Sequence, residues 1–332
     1  MTILPATLVR RAGSPRLTVA LFALLALGVL AGDLVASAWR LAAPLALIAL
    51  NLGCAIATRP RLRRGGLGVF HGALLAAMVV ATTGRLMHLQ GRVEIVDGAA
   101  FDAGAVEITS AGPLHRPALG AVAFVQGPYE IDYLPALKRM HTRSTVRVAG
   151  EDGNTRAVVV GDDRPLVVGG YRFYTTHNKG YAAIVSWTGS DGVPSGGAIH
   201  FPSYPRYDWK QEQAIEPPGA SSVRVRLALP AAVDAERAWR YEPSSTRADL
   251  IVDAAGRQTT LAAGESLALP GGTLRYEGLR GWMGYRIDHD PALHGLLACA
   301  IVAVAGLAFH VLGAGSGRRA RARARVPAES AS

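Results

Sequence analysis

Residues 65–101 read GGLGVFHGALLAAMVVATTGRLMHLQGRVEIVDGAAF, and within this stretch the texture of the chain changes once. From Leu67 to Gly84 no charged residue occurs, and the run approaches the ~20 residues that cross a ~30 Å hydrocarbon layer as a helix. From Arg92 to Val96 apolar and polar residues alternate, the period of a strand with one buried face. A membrane span therefore hands over directly to a β-rich domain, and the rest of the chain is organised around that junction.

Three further runs match the first in length and apolarity, at about Leu17–Ala36, Ala38–Ala57 and Ala292–Leu312. Half of the 332 residues are hydrophobic and 18% are charged, against roughly 25% in soluble globular chains. The expected fold class is an α+β membrane protein with three N-terminal transmembrane helices (17–36, 38–57, 67–84), an outer β-rich domain of sandwich or barrel-like lobes (85–291) and a fourth helix (292–312). Tails at 1–16 and 313–332 complete the chain.

The net charge of +10 would suit a nucleic-acid binder if it were spread over the surface. It is not. Arg10, Arg11 and Arg16 precede the first span; Arg59, Arg61, Arg63 and Arg64 separate the second and third; Arg318, Arg319, Arg321, Arg323 and Arg325 follow the fourth. With Glu329 as the only acid beside them, these segments carry +11, and the remainder of the chain carries −1. Excess basic residues in short loops mark the cytoplasmic side. All three clusters fall on one side when the chain has four spans, which puts both termini in the cytoplasm and residues 85–291 outside. Two other readings stay open: Arg10 and Arg11 followed by an apolar run and Ala36-Ser37-Ala38 also fit a cleavable signal peptide, and GRRARARARV could meet nucleic acid or lipid headgroups rather than only stop transfer. No nucleic-acid partner is expected.

Cys54 and Cys299, the two cysteines, both lie in spans, so neither a disulfide framework nor a CxxC redox pair is present. Between Arg85 and Asp290, short alternating runs broken by Gly, Pro, Asn and Asp predict strands at Arg92–Val96, Ala105–Thr109, Ala121–Val125, Ser144–Ala149, Arg156–Val160, Tyr171–Thr176, Tyr181–Thr188, Ser222–Leu229, Asp249–Asp253, Thr273–Glu277 and Trp282–Asp288. A short helix is expected near Leu134–Met140, and FPSYPRYDWKQEQAIEPPGASS (201–222) reads as a loop between two β lobes. TRAVVVGDDRPLVVGGYRFY (155–174) resembles GRQTTLAAGESLALPGGTLRY (256–276), with the glycine pairs 169–170 and 271–272 aligned and Tyr174 on Tyr276. Two copies of one β unit, or two similar hairpins, would each explain it.

No Ser-His-Asp signature, zinc-spaced Cys/His cluster, P-loop or GxGxxG after a strand is present, and the five Trp residues form no cluster. Ionisable groups at membrane depth are the remaining candidates, because each is costly to place there. His71 lies about 7–10 Å into the third span from its cytoplasmic edge, by the 1.5 Å rise of a helix. His310 lies near the cytoplasmic end of the fourth, and His294 at its outer end beside Asp290. A neutral imidazole can coordinate haem iron within lipid; it can equally bond a neighbouring helix or sit among headgroups. Gly66, Gly68 and Gly72 surround His71 and would admit a second helix or a flat macrocycle. The one acidic residue within the spans, Asp33, offers little for a transport path.

Three spans, an outer β domain, a last span and a histidine in the third resemble the ResB (CcsB) family of cytochrome c biogenesis proteins. The 68–101 segment is similar to that family's third span entering its first outer strand. VVGGYRFYTTHNKGYAAIVSWTGSDG is similar to its central β segment, and LAAGESLALPGGTLRYEGLRGWMGYRIDHDPALHGLLACAIVAVAGL to its closing strands and helix. The likeness spans about residues 15–312. It implies an accessory, non-enzymatic subunit of the system II cytochrome c synthetase in a bacterial inner membrane, with the β domain in the periplasm. Its implied partners are a ResC/CcsA-type polytopic subunit, apocytochrome c and a separate thiol reductant. It implies haem as a cofactor shared with the polytopic partner, and His71, which matches the family's third-span histidine, as a candidate axial ligand. His310 and His294 are weaker candidates, without a family counterpart. The other reading is a membrane-anchored β-domain scaffold or sensor that handles no haem.

Overall fold

A computed structural model describes residues 6–32, 37–116, 118–149, 154–190, 192–202, 211–229 and 236–323, the last of them (314–323) as backbone only. The chain divides into two units. One is helical and takes in residues 1–89, 110–116 and 289–332; the other is built of strands from 90–109 and 117–288.

The helical unit contains α1 (Ala6–Ala12), α2 (Pro15–Leu30), α3 (Trp39–Thr58), α4 (Gly65–Met87) and α5 (Leu293–Arg323). Helices α3 and α4 and residues Leu293–Gly313 of α5 are each long and apolar enough to cross a membrane, close to the bounds expected. The first expected span differs. Its helix α2 covers only 16 residues, and it qualifies only together with α1, to which it is bent by 47°. Residues 33–36, including Asp33, lie outside the described residues. Ser14 at the bend accepts from the amide of Leu17 at 3.2 Å and starts α2, with Pro15 at the first helical position.

Carbonyls at this bend are met by side chains of α3 and its C-terminal cap. Asn51, buried on α3, donates through Nδ2 to the carbonyls of Ala12 and Ser14, and its Oδ1 accepts from Thr18 Oγ1 at 2.7 Å. Arg59 Nη2 donates to Gly13 O at 3.0 Å. Without water in a bilayer, such side chains are the means by which a broken helix keeps its backbone satisfied. Helices α4 and α5 are joined by small residues: a Cβ on Gly66 would strike Gly306 O and the backbone of His310, and one on Gly306 would strike the backbone of Gly66 and Phe70. Close approach of this kind provides packing where lipid removes the hydrophobic drive between helices.

The strand unit comprises β1 (Leu89–Val96), β2 (Glu107–Ala111), β3 (Phe124–Leu134), β4 (Lys138–Ala149), β5 (Thr155–Gly161), β6 (Leu166–Val168), β7 (Tyr171–Gly189), β8 (Pro194–Pro202), β9 (Glu212–Ile215), β10 (Val223–Ala228), β11 (Trp239–Tyr241), β12 (Asp249–Ala254), β13 (Arg257–Leu261), β14 (Ser266–Leu269) and β15 (Gly272–His289). They form a seven-stranded sheet, β2-β1-β15-β7-β6 with β14 on β15 and β8 on β7, and two four-stranded sheets, β13-β12-β10-β9 and β11-β3-β4-β5. Strand β10 shows why: Val223, Val225 and Leu227 are buried while Arg224 and Arg226 are exposed, the two-residue period of a pleated strand.

Several expectations are corrected. Leu134–Met140 holds only a distorted 3-10 turn at Pro135–Leu137 and no α-helix. Leu134 pairs with Lys138 across a turn in which Ala136 (φ 60°) and Leu137 (φ 54°) are left-handed, and the strands continue on either side. Strands expected at Tyr171–Thr176 and Tyr181–Thr188 are one strand, β7, and those at Thr273–Glu277 and Trp282–Asp288 are one strand, β15. In the expected 201–222 loop, residues 203–210 lie outside the described residues, and Glu212–Ile215 is a strand paired with β10.

The internal similarity resolves into a two-fold arrangement. Hairpin β6–β7 closes at Val168↔Tyr171 around Gly169 and Gly170, both at positive φ (59° and 82°), as glycine readily allows; hairpin β14–β15 closes at Leu269↔Gly272 around Pro270 and Gly271. The structural offset is 101 residues, so the aligned glycine pairs were one residue out of step. Strands β7 and β15 then pair antiparallel along most of their length, with Gly180↔Trp282 and Tyr181↔Gly281 at the middle. Each hairpin follows another, β4–β5 or β12–β13, in a different four-stranded sheet. This is the topology of two copies of one unit.

Candidate functional site

His71, Leu74 and Met78 recur on one face of α4 and line a groove of about 490 Å³. Facing residues come from α3, with Asn51, Ala55 and Arg59, and from α2, with Thr18 and Phe22. The groove is therefore apolar with a single imidazole on its wall and Arg59 among its few polar groups.

The imidazole is anchored through one nitrogen. His71 Nδ1 donates to Leu67 O at 2.8 Å, because a carbonyl can only accept, so the lone pair resides on Nε2. Among the described residues Nε2 has no hydrogen-bond partner. The Phe70 ring meets the imidazole edge-on at 5.3 Å and restrains its orientation. A backbone bond to one nitrogen that leaves the other free is the usual support of a metal-ligating histidine. Gly72 has open space where a Cβ would be, whereas Gly66 is taken up by α5 and Gly68 by the backbone of Arg63. Of the three glycines expected to open access to His71, only Gly72 is available.

The structure does not bring the other candidates to this groove. His310 packs its backbone against Gly66 and exposes its side chain, and His294 is exposed in the first turn of α5. Their separation along α5 is about 24 Å at 1.5 Å per residue. Among the described residues, no group of three His, Cys, Asp or Glu side chains could hold a metal ion.

Other polar positions were not singled out in the sequence. His88, just beyond α4, donates from Nδ1 to Arg85 O at 2.7 Å and accepts at Nε2 from Ser110 Oγ at 2.8 Å. Burial lowers its pKa, the Arg85 carbonyl opposing this, so the neutral form is favoured. The rings of His115 and His289 meet at 5.3 Å in the same unit. In the strand unit Lys179 is buried, donating to Thr142 Oγ1 at 3.0 Å and Thr176 O at 2.9 Å, and desolvation brings its pKa down to about 8. A polar groove of about 720 Å³ in that unit is lined by Arg92, Glu94, Glu107, Asn178 and Arg286. Glu94 is already engaged there, accepting from Asn178 and lying 2.9 Å from His200 Nδ1, whose ring stacks on Trp282. Only residue spacing in three dimensions reveals these groupings; nothing local in the sequence marks them.

Among comparisons with known proteins, a model of the ResB-like family matches residues 34–325, and no curated protein matches the chain.

Proposed function

Since the chain belongs to the ResB-like family, and with it to a family related to cytochrome c biogenesis, we propose that it is the accessory subunit of a haem-handling cytochrome c synthetase. The observation that supports this most is the His71 imidazole on the wall of an apolar groove, held through Nδ1 by Leu67 O with Nε2 unpartnered among the described residues. In this reading the helices cross a bacterial inner membrane with both termini cytoplasmic and the strand unit periplasmic. A ResC/CcsA-type polytopic subunit would complete the haem site to which this chain contributes His71, apocytochrome c is the recipient, and a separate reductant keeps its thiols reduced.

When bound, haem supplies the porphyrin whose vinyl groups become thioether-linked to the apocytochrome. The residues of this chain bind and orient. Leu67 O keeps the proton of His71 on Nδ1, so Nε2 can coordinate without a proton being moved. Phe70, Leu74 and Met78 exclude water around that nitrogen, and Arg59 places one cationic group at the groove. Among the described residues the groove lining holds no carboxylate and no thiol, and in this reading covalent chemistry falls to the partner while the chain acts as a holder.

Co-expression with the polytopic subunit tests this. The purified complex is expected to show a low-spin Soret band that His71→Ala reduces at least tenfold, with a matching loss of mature cytochrome c in cells. An unchanged band and unchanged maturation in His71→Ala would overturn the ligand assignment.

A further inference from the structure

At the end of the helical unit from which the chain passes into β1, and to which it returns after β15, two arginines are left incomplete. Arg40 lies in the first turn of α3 and Arg85 in the last turn of α4. Nε and Nη1 of Arg40 and Nε of Arg85 are buried without a hydrogen-bond partner among the described residues. The two guanidinium groups lie within electrostatic range of each other, and Asp290 lies within range of Arg85. Asp290 does not complete them. Its Oδ1 accepts from the amide of Ala292 at 2.9 Å to start α5, and among the described residues it forms no ion pair with either arginine. His88 is also spoken for at both ring nitrogens.

Buried N–H donors without acceptors are rare, because each forfeits its hydration with nothing in return. Two like charges placed together compound the cost. A ligand with several acceptor oxygens and negative charge would remove both penalties, and the planar fork of arginine suits phosphate and carboxylate bidentately. Trp39, next to Arg40 and 56% exposed, is the residue type that settles at the membrane–water interface, so the site lies at headgroup depth.

We propose that Arg40 and Arg85 form an oxyanion site that takes the phosphate or carboxylate group of an amphiphile at the interface. Two sources carry that chemistry: the phosphate of a phospholipid, and the propionates of haem. The second rests on the function proposed above; the first does not. His71 precedes Arg85 by about 21 Å along α4, at 1.5 Å per residue, so this site is separate from the groove.

The test uses the full chain, delipidated in detergent and carrying His71→Ala so that iron coordination at the groove does not contribute. Thermal unfolding is followed while phosphatidylglycerol is added, with diacylglycerol as the phosphate-free control, and separately with iron protoporphyrin, its dimethyl ester serving as the propionate-free control. At least one anionic probe is expected to raise the midpoint while its control does not, with apparent affinity reduced tenfold or more by Arg40→Gln or Arg85→Gln. Arg40→Lys and Arg85→Lys, which keep charge but lose the fork, are expected to bind with intermediate affinity and cover the case in which a Gln variant does not fold. A response to phosphatidylglycerol alone assigns the site to lipid, and a response to protoporphyrin alone assigns it to haem. No response to either anion, or responses that the Gln and Lys variants leave unaltered, would overturn the site. Because loss of the Soret band in His71→Ala is read separately, failure here leaves the proposed function standing.

Discussion

The two units treat charge in opposite ways. In the strand unit, Arg143 bridges Glu130 and Asp132, and Arg240 reaches the same two carboxylates at 3.1 and 2.9 Å, so four side chains on β3, β4 and β11 neutralise one another. Even its interior polar group closes on itself: Tyr285 Oη donates to Gln126 Oε1, Gln126 Nε2 donates to Ser144 Oγ, and Ser144 Oγ lies 2.8 Å from Tyr285 Oη. In the helical unit, Nε and Nη1 of Arg40, Nε of Arg85 and Nε2 of His71 have no hydrogen-bond partner among the described residues. Large apolar side chains such as Leu30 (79% exposed) and Leu312 (73%) face outward there. Those charged and polar groups of the strand unit are met by its own residues, while Thr175 Oγ1 and Trp239 Nε1 stay buried without a hydrogen-bond partner among the described residues. The helical unit turns apolar surface outward and, in the functions proposed above, is completed by a bilayer and its ligands.

This contrast can be broken experimentally, beginning with the strand unit. Phe173 is fully buried and packs against Phe101, Phe124 and Tyr285. Phe173→Ala is expected to destabilise the purified chain by about 3–5 kcal/mol in denaturant titrations, whereas Phe22→Ala on α2, half exposed, should change it by less than about 0.5 kcal/mol. Equal effects would dissolve the distinction.

Lys179 is the exception that sharpens it. With a pKa near 8 when folded and 10.5 as its ordinary value, the folded state carries fewer protons between those limits. The contribution of Lys179 to stability is therefore lowest and flat below pH 8 and rises as pH climbs from about 8 to about 10.5. The penalty at neutral pH is on the order of 3 kcal/mol, at ~1.4 kcal/mol per unit, offset in part by its hydrogen bonds. Lys179→Met is expected to flatten the alkaline slope of stability measured by denaturant titration at several pH values; a slope that persists would refute the assignment.

Smaller effects follow. Gly66→Leu forces α4 and α5 apart and should cost about 1–3 kcal/mol, read as faster proteolysis between the helices in detergent while the tryptophan emission of the strand unit is unaltered. Arg143→Ala, at a largely solvated network, should cost no more than about 1 kcal/mol, and less in high salt.

Much of this organisation was legible in the sequence. Apolar runs at 38–57 and 67–84 became α3 and α4 within a few residues, because lipid-crossing length is a strong constraint. The first span was less so, since a bend at Gly13 and Ser14 is stabilised by Asn51 and Arg59 from elsewhere in the chain. The long strands were read in halves because β-bulges at Tyr276/Gly278 and Met283/Tyr285 shift the alternation partway along. His71 was visible as a histidine in an apolar run, though its tautomer was not. Arg40 passed unnoticed although an arginine two residues into a span is itself a signal; what makes it a candidate is the want of an acceptor, which only three-dimensional packing shows.

The two-fold pairing of β7 with β15 also sets a timetable for synthesis. Strand β7 emerges about a hundred residues before the strand that completes its sheet, so the earlier copy must wait with that flank open, a long-range closure of the slow kind. During this wait a second chain could lend its own β15, making exchange between neighbours the natural error of this architecture. Because α5 begins only a few residues after β15, closure of the sheet and arrival of the last helix fall at nearly the same moment in the life of the nascent chain.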